Sequence, residues 1–88
     1  MEVFFDKSFS KSLDKINNKI ILSKVEKSII NCENATKLSE IQNVKKLTGF
    51  NSFYRIKIND YRLGFEYTTN KITFIIICHR KDIYKLFP

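Results

Sequence analysis

The 88-residue chain is 43% hydrophobic and contains eight Phe and four Tyr, enough apolar material for one core and too much for a disordered chain. Its net charge of +7 favours a polyanionic partner. No segment approaches the roughly 20 apolar residues that span a bilayer, and residues 1–6 lack the features of a signal peptide. We therefore expect a cytoplasmic protein with a single domain over residues 1–88.

The first half of the chain is predicted to form a strand and two helices. Residues 1–5 are typical of a short strand, and Asp6 or Ser8 can cap the helix that follows. Asn17 and Asn18 separate this helix from the next one. Apolar residues recur at helical spacing in two stripes, namely Phe9, Leu13 and Ile16, then Ile21, Val25, Ile29 and Cys32. We expect the two helices to pack as an antiparallel pair.

The second half changes to the alternating pattern of strands. We predict strands at residues 44–47, 53–58, 61–68 and 72–78. Asn59–Asp60 suits a two-residue hairpin turn, and the apolar last strand belongs inside the sheet. Residues 81–88 are expected to trail over a sheet edge. The fold class is therefore α+β, with an N-terminal strand, a two-helix antiparallel hairpin and a mostly antiparallel twisted sheet of about four strands.

Two cysteines carry little functional information. Cys32 and Cys78 lie far apart, without the spacing of a zinc site or a disulfide framework. We expect both to be buried apolar residues.

The positive charge is concentrated late in the chain. Residues 1–44 carry seven Lys and six acidic residues, whereas residues 45–88 carry nine basic residues and three acidic ones. All three arginines, Arg55, Arg62 and Arg80, belong to the second group. A guanidinium can hold a phosphate at two points, which lysine cannot imitate, so their placement indicates phosphate contacts. Ordinary surface charges remain the alternative.

The predicted hairpin places cations opposite one another. A turn at Asn59–Asp60 pairs Lys57 with Arg62 and Arg55 with Gly64. These four residues lie on one face of the hairpin, and the opposite face is wholly apolar. Like charges directly opposite are destabilising, which suggests a phosphate that relieves the conflict, and Gly64 would let a nucleotide approach closely. The alternative is a solvated outer face, for which Lys and Arg are usual choices.

The segment after the last strand adds His79, Arg80, Lys81 and Tyr84 at one edge of the sheet. His can move protons near neutral pH, Arg can stabilise charge on phosphate, and Tyr can stack on a base. A single His at a strand end is nevertheless more often a surface residue.

Three segments together carry a resemblance to a known family. They are Tyr54–Lys57 after an aromatic residue, Asp60–Leu63, and His79–Tyr84 after a strand rich in Ile. Lys46–Gly49 also looks like the family's Leu-x-Gly turn. The chain resembles the RelE/ParE superfamily of bacterial and archaeal toxins over nearly its whole length.

The resemblance implies a ribosome-dependent endoribonuclease that cleaves mRNA in the A site without a metal or other cofactor. By that resemblance the catalytic positions are Lys57, Arg62, His79, Arg80 and Tyr84. The RNA and phosphate contacts are Arg55, Lys57, Arg62, Arg80 and Lys81. Lys57 or His79 would act as the base, and Glu40 and Glu66 are weaker carboxylate alternatives. The family often has lysine where this chain has Arg55, so that residue is expected to bind phosphate only.

The resemblance also implies a cognate antitoxin, expected to be small and acidic, and leaves two rival functions open. ParE-type members of the superfamily poison DNA gyrase and need no nuclease site. A catalytically inactive RNA-binding relative is the other possibility. The basic residues together with Tyr84 favour the nuclease.

Overall fold

A computed structural model describes residues 1–88. None of its helices has the length and apolar content needed to cross a membrane. The elements in chain order are β1 (Glu2–Phe5), α1 (Lys7–Asp14), α2 (Lys19–Asn34), β2 (Val44–Lys46), β3 (Phe53–Ile58), β4 (Tyr61–Thr68), β5 (Lys71–His79) and α3 (Ile83–Leu86), with a 3-10 turn at Leu38–Glu40.

Side-chain caps start both long helices. The Asp6 carboxylate accepts hydrogen bonds from the backbone N–H and the hydroxyl of Ser8, which confirms Asp6 as the cap of α1. The Asn18 side chain accepts from the backbone N–H groups of Ile20 and Ile21. The first helix ends earlier, at Asp14, and Asn18 caps the start of the second one.

The strands form one five-stranded sheet in the order β1-β5-β4-β3-β2. β1 runs parallel to β5, and the other neighbours are antiparallel. The predicted α+β class and mostly antiparallel sheet are confirmed, and β5 lies inside the sheet as expected. A register shift lies between Gly64 and Phe65 on β4, where β5 has one extra residue.

The main core lies between the helices and one face of the sheet. Its buried members include Phe9, Ile21, Val25, Ile56, Leu63, Phe65, Ile72 and Phe74. Tyr54, Tyr61 and Tyr67 face the same side and are only half-buried. We call this side of the sheet the helix face and the opposite side the outer face.

The two cysteines differ in burial. Cys32 is fully buried, as predicted, whereas Cys78 is half-buried beneath the last residues of the chain. Burial raises the pKa of each thiol to about 11, so both are protonated at neutral pH.

Residues 81–88, the tail, do not trail over an edge, and that prediction was wrong. Ile83 and Phe87 are buried with Leu47 in a second apolar cluster on the outer face. Phe53 of β3 and Ile76 of β5 pack against this cluster. The tail therefore lies across the middle of the sheet. Ile83 and Phe87 are one helical turn apart, so both can pack on the apolar part of the outer face.

Candidate functional site

The β3–β4 hairpin has the register expected from its turn. Ile58 pairs with Tyr61, Lys57 with Arg62, and Arg55 with Gly64. Asn59 adopts a left-handed backbone with φ of 52°, which asparagine tolerates better than most residues. Lys57 and Arg62 are therefore direct cross-strand neighbours on the outer face, with Cα atoms about 4.5–5.5 Å apart by the geometry of such pairs.

The tail covers only part of the outer face. A Cβ atom on Gly64 would lie 2.9 Å from the Phe87 ring and 3.1 Å from the Ile76 side chain. Gly64 thus accommodates an aromatic ring of the same chain, and its predicted role as an open approach for a nucleotide was wrong. The tail leaves the end of the hairpin, residues 57–62, uncovered, and we call this part the hairpin end.

Two guanidinium groups meet the hairpin end from different strands. Arg62 Nη1 donates hydrogen bonds of 2.9 Å to the carbonyl oxygens of Asn59 and Tyr61. The Arg80 backbone N–H donates to the Asp60 carbonyl at 2.7 Å, and Arg80 Nε lies 4.0 Å from Asp60 Oδ1. Arg62 is thus held at the turn as the cross-strand neighbour of Lys57, Arg80 is held at Asp60, and each guanidinium keeps nitrogen atoms free for an anion.

Arg55 lies farther along the same strand. It is half-buried, and its Nη1 donates to the Asn43 carbonyl at 3.0 Å, a carbonyl that also accepts from the Lys57 backbone N–H at 3.1 Å. Arg55 and Lys57 therefore share the outer face, with the Arg55 head group directed toward the β2 side of the sheet.

The hairpin end is short of negative charge. The pair of Arg80 and Asp60 is the only ion pair within 4.0 Å in the structure, and both side chains are largely exposed, so it contributes little to stability. Lys57 is exposed, and neither Lys57 nor Arg62 has a carboxylate within that distance. An anion bound here would relieve the repulsion between the two cations.

His79 lies apart from the basic residues. It pairs with Tyr61, and the two ring centroids are 5.9 Å apart on the helix face. Its neighbour Cys78 pairs with Arg62 and packs under the tail on the outer face. The His79 Nδ1 accepts a hydrogen bond of 3.2 Å from the Lys81 backbone N–H. The register therefore directs His79 to the helix face, whereas Lys57 and Arg62 lie on the outer face, and its role as a base stays a prediction.

The remaining predicted residues differ in accessibility. Tyr84, in the first turn of α3, is 71% exposed, so its ring is available to stack on a base. Lys81 is exposed in the turn before α3. Glu66 pairs with Thr73 four residues along β4 from Arg62, roughly 13 Å away at the usual strand rise.

Glu40 has a structural partner already. Its carboxylate accepts hydrogen bonds from the backbone N–H and the hydroxyl of Thr36, and these bonds lower the pKa of Glu40. Neither Glu40 nor Glu66 belongs to the hairpin end. No group of three or more His, Cys, Asp or Glu side chains is arranged to hold a metal ion.

Sequence reasoning missed two lysines beside the hairpin end. Lys24 and Lys27 lie one turn apart on α2, and with Lys57 they line an open cleft of about 450 Å³. Their spacing indicates one exposed face of a helix, but no residue pattern indicates which strand that face meets.

Comparison with known proteins identifies the family. Residues 3–84 match the family model described as ParE toxin of type II toxin-antitoxin system. The chain is 35% identical to Toxin RelE3 of Methanocaldococcus jannaschii over 89 residues, covering all of both chains. It also resembles the toxin in the RelB-RelE antitoxin-toxin complex from Methanococcus jannaschii, at 33% identity and a TM-score of 0.82, covering 97% of this chain and 99% of that one.

A more distant structure shares the fold. The match in the intact RelBE toxin-antitoxin complex of E. coli has a TM-score of 0.69 at 20% identity and covers 89% of this chain and 94% of its own. The family model and the archaeal relative agree with the resemblance carried by the hairpin and the residues after β5. The chain belongs to the RelE/ParE superfamily of toxins of type II toxin-antitoxin systems.

Proposed function

We propose that this toxin is a ribosome-dependent endoribonuclease that cleaves mRNA in the ribosomal A site and so stops translation, without a metal ion. The observation that supports it is the placing of three cations around one turn: Lys57 and Arg62 are cross-strand neighbours, and Arg80 is held at Asp60, the only carboxylate within 4.0 Å of any of the three. RNA cleavage needs such a group of cations, because the transition state carries more negative charge on phosphate than the substrate does.

The chemistry is attack of a ribose 2′-hydroxyl on the adjacent phosphorus. As the new P–O2′ bond forms, the hydroxyl proton passes to Nζ of Lys57, the cross-strand neighbour of Arg62. The P–O5′ bond then breaks, and the departing 5′-oxygen takes up a proton. The products are a 2′,3′-cyclic phosphate and a 5′-hydroxyl. His79 is the weaker candidate base because it faces the other side of the sheet.

The other residues bind and orient the RNA. Arg62 and Arg80 stabilise charge on the phosphate oxygens, since each retains free guanidinium nitrogens at the hairpin end. Arg55 and Lys81 bind neighbouring phosphates. Tyr84 stacks on a nucleotide base from α3.

A cognate antitoxin completes the proposed system. Relatives have been crystallised as toxin-antitoxin complexes, including RelB-RelE of Methanococcus jannaschii and DinJ-YafQ of E. coli. We infer that this toxin is neutralised by a small acidic protein, because opposite charge speeds association with a chain of net charge +7.

Inhibition of DNA gyrase is the second candidate, because the matching family model carries the ParE description. One experiment separates the two functions. Purified toxin is added to a translation reaction and, in parallel, to a gyrase supercoiling assay. The nuclease predicts new 5′ ends within codons of ribosome-bound mRNA and unchanged supercoiling. Loss of supercoiling with intact mRNA would establish the rival function instead.

A further inference from the structure

The cleft beside the hairpin end is a second cationic surface. It lies between α2 and the residues that join β2 and β3 to their neighbours, and Lys24, Lys27 and Lys57 contribute its positive charge. Asn31, Asn43 and Asn59 also line it. We call this surface the lysine cleft.

No carboxylate lines the lysine cleft, and none lies within 4.0 Å of its three ammonium groups. Lys24 instead donates a hydrogen bond of 2.7 Å from Nζ to Asn59 Oδ1. This bond holds the Lys24 ammonium toward the hairpin rather than free in solvent. Three cations around one cleft repel one another, so the surface gains most from a ligand that carries negative charge.

The lysine cleft is continuous with the candidate catalytic site. Lys57 lines the cleft and is also the cross-strand neighbour of Arg62. Asn59 is shared in the same way, because its side chain accepts from Lys24 while its carbonyl oxygen accepts from Arg62. A strand whose phosphate lies at the hairpin end therefore has a cationic path that leads to α2.

The lining favours a ribose-phosphate backbone over a protein segment. Only two of the ten lining residues are hydrophobic, and both, Ile41 and Ile58, are buried members of the core. A docked peptide normally needs an apolar pocket for an anchoring side chain, which this cleft lacks. Lysine ammonium groups and asparagine amides are instead common partners of phosphate and sugar oxygens.

We propose that the lysine cleft binds the phosphates of the RNA strand adjoining the cleaved bond, through Lys24 and Lys27. The identity of that strand as the substrate rests on the proposed function. The phosphate contacts themselves do not depend on cleavage. Lys24 and Lys27 bind and position RNA, and the chemistry stays with Lys57 and the arginines.

The test compares two double variants of equal charge. Lys24→Gln/Lys27→Gln changes the cleft, and Lys11→Gln/Lys15→Gln removes two exposed lysines on and just after α1 that do not line it. Each is titrated with a single-stranded RNA carrying 2′-O-methyl groups, which cannot be cut, over a range of salt concentrations. Each lost phosphate contact lowers the steepness of log affinity against log salt by about 0.7. The slope of the cleft variant should therefore be about 1.4 shallower than that of the wild type, and the slope of the control should be almost unchanged.

Three outcomes overturn the proposal. Equal losses in the two variants would mean that net charge alone matters, and an unchanged slope in the cleft variant would mean that RNA does not reach the cleft. Unchanged RNA binding with weakened antitoxin binding would also overturn it, in favour of an acidic protein segment. Because the probe cannot be cleaved, the binding assay does not depend on nuclease activity. If the cleft variant has a lower slope than the control variant while the wild-type protein cuts no mRNA, the RNA-binding cleft stands and only the proposed nuclease function fails.

Discussion

Arg62 on β4 and Arg80, just after β5, both contact the Asn59–Asp60 turn, which places two planar cations at the end of the hairpin that carries Lys57. A guanidinium presents paired N–H donors at the spacing of two phosphate oxygens, whereas an ammonium is a single point of charge. The geometry of the group, and not only its charge, should therefore matter at the hairpin end.

Arg62→Lys separates charge from geometry. We expect the variant to lose about 10²-fold or more in the rate of mRNA cleavage, the usual cost of removing one positioned donor. The single-turnover rate on programmed ribosomes measures this. Lys11→Arg, a change of the same kind on α1, should leave the rate unchanged. A variant that cuts at the wild-type rate would show that Arg62 contributes only charge.

Asp6 gives stability a defined pH dependence. Hydrogen bonds from Ser8 lower the pKa of the Asp6 carboxyl below its ordinary value of 3.8. The stabilisation that the ionised Asp6 cap provides is therefore fully present at pH values above the ordinary pKa. It is lost as the pH falls through the lower pKa of the folded state. Asp6→Ala should lower the Tm at pH 7 and have a smaller effect at pH 2. An equal loss of Tm at the two pH values would contradict the role of the carboxylate as the cap.

At the level of elements, the hairpin was predictable and the tail was not. Asn59–Asp60 fixes a two-residue turn, and a two-residue turn fixes every pair along β3 and β4. The side occupied by His79 depends instead on the extra residue of β5 opposite the Gly64–Phe65 step, which reverses the alternation. Nothing in the local sequence locates that irregularity. Ile83 and Phe87 did carry a helical spacing, but the surface they cover exists only once the sheet has formed.

Gly64 and Phe87 should be energetically coupled. A methyl group on Gly64 would lie 2.9 Å from a ring that is itself buried, so Gly64→Ala should cost about 1–3 kcal/mol. Combining it with Phe87→Leu, which removes ring atoms, should cost less than the sum of the two single changes. Urea unfolding of the four proteins measures the coupling. Strict additivity would mean that the ring does not lie over Gly64.

The tail also protects one of the two thiols. Cys78 packs against the cluster that contains Ile83 and Phe87, whereas Cys32 is buried in the main core. Phe87→Ala should therefore speed the reaction of Cys78 with a thiol reagent while Cys32 stays protected. Peptide mapping after brief labelling distinguishes the two sites. Equal acceleration at both would indicate global unfolding rather than loss of tail packing.

Across the whole molecule, the two faces of the sheet differ in what they contact. The helix face holds the main core, and the outer face divides into an apolar part under the tail and a cationic part at the hairpin end. The composition indicated the net charge of +7 and its bias toward the second half. It did not indicate that two lysines of the first half, on α2, extend the cationic surface.

We propose that Lys57, Arg62 and Arg80 act together in one RNA-cutting site. Single-turnover cleavage of ribosome-bound mRNA, mapped by primer extension, tests it with Lys57→Ala, Arg62→Ala, Arg80→Ala and the α1 control Lys11→Ala. Each of the first three should cut at least about 10²-fold more slowly than wild type while keeping the wild-type circular dichroism spectrum, and the control should cut normally. Wild-type cutting by all three folded variants would contradict the account.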